Sequence, residues 1–83
     1  MTTDAPSGLI YLLTTGRDKE LVLRLHDDTV TVQALSSWMA EGVVKALTVS
    51  RFGDRDTSTY LINFRHVVGA RLAPYSDTRT SSF

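Results

Sequence analysis

Arg51, Arg55, Arg65 and Arg71, with Phe52, Tyr60 and Phe64 set among them, are the residues of this chain whose types and spacing most suggest chemistry. Guanidinium forks grip phosphates and exposed rings stack on bases, so this set is what a surface for single-stranded RNA or DNA requires. Other features weigh against it. Asp54 and Asp56 flank Arg55, Tyr60 and Phe64 alternate on the face expected to build a core, and the formal net charge is zero with a pI near 6.7. Polyanion binding rests on excess positive charge, so nucleic acid is the alternative partner rather than the first.

The run His26-Asp27-Asp28 is the densest group of possible metal ligands or acid–base residues. Neighbouring residues of a strand point to opposite faces, however, and a polar turn accounts for all three, so no metal is expected. His66 is the only other histidine and stands in no His-rich spacing. The serines and threonines form no Gly-x-Ser-x-Gly elbow, and no glycine-rich phosphate loop occurs. The expectation is a protein that is not an enzyme and carries no cofactor. An acid–base site around His26, Asp27, Asp28 or His66 would need a second copy to assemble it.

The elements that position these residues are mainly strands. β-Branched and aromatic residues fall in short runs between turn residues, at Leu9 to Thr14, Glu20 to His26, Thr29 to Gln33, Val43 to Phe52, Ser58 to Phe64 and Val67 to Leu72. In the second run Leu21, Leu23 and Leu25 share one face, and Asp27-Asp28 reads as a tight turn that pairs it with the third as a hairpin. The fourth and fifth runs form another hairpin around residues 53–57. Residues 34–41 break the period of two, contain good helix formers and stop at Gly42, so they predict a helix of one or two turns. Leu35, Trp38 and Met39 would pack that helix on the sheet. The fold class that follows is mainly β with one short α-helix: a strongly bent antiparallel sheet, or a small barrel, of five to six strands.

The segment from Tyr60 to Val68 has the strand, short corner, strand form common in small barrels of the SH3 or Sm type. It is a hint of topology, and no function follows from it.

With 83 residues the chain can supply one core, expected over residues 9–72, with flexible tails at 1–8 and 73–83 that are small, polar or Ser/Thr-rich. A chain this short buries only about 60% of the surface its unfolded state exposes. No cysteine is available to staple it. The start has no basic region followed by a long apolar stretch, and no run is long enough to span a membrane, so the expected location is the cytoplasm. Several strands are apolar on both faces, as at Val43-Val44, Leu61-Ile62 and Val67-Val68. One small core cannot cover two faces, so a second copy is expected to cover the other, with Trp38, Val44, Leu61 and Val67 as interface or lid residues. Charge is uneven along the chain, three basic against six acidic groups in residues 1–41 and the reverse in 42–83, and the two halves are expected to intermingle in the fold. The functional expectation is a small binding or regulatory protein acting as a homo-oligomer, another protein being a further possible partner.

Overall fold

The computed structural model describes residues 6–51 and 56–75. It contains five strands, β1 (Gly8–Thr14), β2 (Leu21–Leu25), β3 (Val44–Ser50), β4 (Ser58–Asn63) and β5 (Val67–Ala73), with one helix, α1 (Val32–Glu41), and a 3₁₀ turn at Phe64–His66. All pairings are antiparallel, and the strands lie in one sheet in the order β4-β3-β2-β1-β5. β4 and β5 are thus the sheet's edges, yet only the three residues of the 3₁₀ turn separate them in the chain. The sheet must curl to let so short a link join its two sides. The bend falls at β2, which pairs with β1 along its whole length but with β3 only through Arg24 and Leu25.

The inward residues of each strand meet in one core. Ile10, Leu12, Leu23, Leu25, Leu47 and Val49 alternate along their strands and are all buried. Phe64 closes this core from the 3₁₀ turn at 1% exposure, and Leu35 enters it from α1. Trp38 and Met39, one helical turn on, pack partly buried against it, as their spacing with Leu35 predicts.

The third strand expected from Thr29 to Gln33 does not exist, and neither does its hairpin with the second. Local side-chain hydrogen bonds redirect the chain there. The Asp27 carboxylate accepts from the Thr29 amide at 2.9 Å and from its hydroxyl at 2.6 Å, forming a turn. The Thr31 hydroxyl then accepts from the Ala34 amide at 3.1 Å, which makes Thr31 the N-cap of a helix that starts at Val32. Val30 enters the core and Val32 is left outside, so two valines that alternate like a strand belong to a turn and a helix. The helix has ten residues and ends as expected at Gly42, whose φ of 66° is left-handed and whose amide bonds the Trp38 carbonyl at 2.8 Å.

The tails expected at 1–8 and 73–83 lie for the most part outside the described residues. Within them, Gly8 opens β1 and Ala73 closes β5. The acidic first half and basic second half do intermingle: β1 is flanked by β2 and β5, and Glu20 pairs with Arg71 across 51 residues. Among the described residues no helix is long and apolar enough to cross a membrane.

Candidate functional site

β3 and β4 form a regular hairpin in which Val44 faces Asn63, Ala46 faces Leu61 and Thr48 faces Thr59. Alternation sends Leu47, Val49 and Ile62 into the core, so these three cross-strand pairs stand on the outer face. Leu61 is 72% exposed and Val44 57%. With Ala46 between them, they form an apolar strip on the solvent side of a two-stranded ribbon. β4 is also an edge, since it hydrogen-bonds to β3 alone among the described residues. Its sequence, Ser58-Thr59-Tyr60-Leu61-Ile62-Asn63, contains no charge, proline or glycine. Its composition supplies neither the charge nor the proline by which edge strands resist strand addition.

The opposite edge is defended three times. β5 carries Arg71, its pairing with β1 shifts register between Leu13 and Thr14 so that Val68 bulges out, and Pro74 follows directly after Ala73. Arg71 is held by two hydrogen bonds from its guanidinium to the Glu20 carboxylate, at 3.1 and 3.2 Å, and lies 3.8 Å over the ring of Tyr11. These bonds lower the Glu20 pKa and raise that of Arg71. The guanidinium is thus drawn across β1 toward the start of β2, its charge paired with Glu20.

The arginines expected to act together are scattered. Arg51 follows the end of β3, where its carbonyl accepts from the Arg24 guanidinium at 2.6 Å. Arg65 lies in the 3₁₀ turn beside Gly42, at the other end of the same strand. Seven residues of extended chain separate those ends, about 23 Å. Arg71 is clasped on β5, and Arg55 lies outside the described residues, as do Phe52 and Asp54. Of the interleaved aromatics, Phe64 is core and Tyr60 packs partly buried against it, so neither ring is free to stack on a base.

Of the residues expected to form an interface or lid, Val44 and Leu61 lie on the exposed strip. Val67 does not. It points inward at 5% exposure, and its neighbour Val68, at 60%, takes the outer position because a one-residue step along a strand reverses the face. Trp38 rests on Phe64 with ring centroids 5.4 Å apart at 56°, and the Lys45 ammonium lies 5.3 Å from its ring, so it covers the core from the helix side.

The His26 ring meets a buried partner: its Nε2 lies 2.8 Å from the Ser50 hydroxyl, and Ser50 is 3% exposed. That hydroxyl is closed to solvent, which suits a structural bond better than a nucleophile. Asp27 is turned away to bond Thr29, which lowers its pKa through hydrogen bonds from the hydroxyl and the amide. Among the described residues no three acidic or histidine side chains come together as a metal site. The described surface also carries shallow clefts. One, of about 370 Å³, lies between Thr14 and Leu21 at the β1–β2 turn, and another, of about 190 Å³, runs between Val32 and Met39 of α1 and Ala70 of β5.

Sequence reasoning missed the contrast between the two edges. The uncharged composition of β4 was readable, but an edge is defined by which strands pair, and that is not written locally. No protein-family model, no curated protein and no solved structure matches the chain.

Proposed function

We propose that this chain is a small, non-enzymatic binding or regulatory module that acts in the cytoplasm as a homo-oligomer, joined through the outer face and free edge of the β3–β4 hairpin. The observation that carries the reading is Leu61, 72% exposed in an uncharged edge strand. Burying one leucine contributes about 1.5–3 kcal/mol, and a symmetric contact counts it twice. A cysteine-free chain of 83 residues gains more from that burial than a larger domain would. Zero formal net charge leaves no overall repulsion between copies.

Light scattering on the size-excluded protein at micromolar concentration tests the reading. The wild type should give a multiple of the 9.2 kDa monomer mass. Leu61→Asp should give the monomer with an unchanged circular dichroism spectrum, since the side chain lies outside the core. A wild type that stays monomeric up to several hundred micromolar would overturn it.

A further inference from the structure

Asp56 and Arg65 bracket β4 with opposite charges, one two residues before Ser58 and one two residues after Asn63, in the 3₁₀ turn. Both are exposed, and the ion pair between Glu20 and Arg71 involves neither. On the reading that copies of this chain associate through β4, this bracketing dictates how they meet. We propose that two copies pair β4 to β4, antiparallel, about a two-fold axis normal to the sheet, which brings the acidic end of each strand, at Asp56, to the basic end of the partner subunit's strand, with Asp56 one residue out of direct register from Arg65 of the partner subunit.

Three features lead there. The first is the contrast between edges. A head-to-tail arrangement would lay β4 of one copy on β5 of the next, where Arg71, the Val68 bulge and Pro74 obstruct a regular ladder. Among the described residues β4 is the edge that can pair with itself in a regular ladder, so the contact is isologous and closes at two subunits. The second is charge. Antiparallel pairing brings each acidic end to a basic end, twice per dimer, whereas parallel pairing would oppose Asp56 with Asp56 and Arg65 with Arg65. The third is the face. An axis normal to the sheet keeps both outer faces on the same side, and a register centred on Leu61 places the two leucines together. Thr59 then faces Asn63 of the partner subunit. Ala46 and Val44 of each copy continue the strip on either side. The product is one ten-stranded sheet with an apolar band across its middle and a defended β5 at each end.

A reciprocal charge swap tests the arrangement, read by sedimentation equilibrium and light scattering. Asp56→Arg and Arg65→Asp, made singly, should each weaken the dimer about ten-fold, because each places like charges at both ends of the ladder. The double variant should restore the wild-type dissociation constant. Mixing the two single variants should produce heterodimer in preference to either homodimer, since their ends are complementary. Circular dichroism of the double variant controls for folding. Single variants that dimerise within two-fold of wild type, while Leu61→Asp does not, would overturn the register and leave self-association standing. A trimer, tetramer or open series of masses would overturn the two-fold closure. A wild type monomeric at every concentration would overturn both readings and leave the edge to a different protein.

Discussion

Phe64 ends the second hairpin with its ring 1% exposed, tilted against Trp38, where sheet, helix and 3₁₀ turn meet. Cutting it to alanine removes a ring that no neighbour can replace. Phe64→Ala should cost about 3–5 kcal/mol, a large part of the stability of so small a domain, and should appear as a much lower urea midpoint. Gly42 presents the opposite case. A Cβ there would meet Arg65 at an ordinary 3.6 Å, so space is available, but φ of 66° is strained for any residue with a side chain. Gly42→Ala should therefore cost about 1 kcal/mol without altering the fold, and Gly42→Asn less, both read from chemical unfolding. Acid stability belongs to the same scale. Glu20 is held below its usual 4.5 by Arg71 and Asp27 below its usual 3.8 by Thr29. A carboxylate whose folded pKa is lowered contributes stability above its unfolded pKa and loses it as pH falls through the folded one. The urea midpoint should therefore stay level on this account between roughly pH 5 and 8 and fall at lower pH. Glu20→Gln and Asp27→Asn should each flatten part of that acid fall.

At the scale of elements, the least expected feature is where the helix begins. Thr31 starts it through one hydrogen bond to the Ala34 amide, and α1 has no acidic residue in its first turn to assist. Thr31→Ala should lower stability by about 1 kcal/mol, while Thr31→Ser or Thr31→Asp should retain it, as thermal unfolding can show. The strands were easier to read. Leu21, Leu23 and Leu25 on one face, and Tyr60, Ile62 and Phe64 on another, match the observed burial because a period of two has one inward set. Thr29 to Gln33 misled because four alternating residues suit a strand as well as a helix start, and the choice fell to hydroxyl and carboxylate bonds.

For the whole molecule, a curled sheet with one guarded edge and one open edge makes stability depend on concentration if copies pair. The apparent melting temperature should rise with protein concentration across the dimer dissociation constant, and Leu61→Asp should abolish the dependence. A wild-type transition independent of concentration, together with a monomer mass, would count against pairing. The arginine set belongs to this scale as well. Four guanidinium groups close in sequence suggested one surface, yet β3 holds Arg51 and Arg65 at its opposite ends and Glu20 occupies Arg71.

By itself the sequence determined the class of fold, one helix on a small antiparallel sheet, and which residues of β2 and β4 turn inward. These follow from hydrophobic period and turn chemistry, which act within a few residues. Tertiary structure alone decided which strands are edges, that Val67 faces inward and Val68 outward, and that Glu20 disarms Arg71 from 51 residues away. Strand order and long-range ion pairs depend on how the chain curls back on itself, and no local pattern of residue types encodes that return.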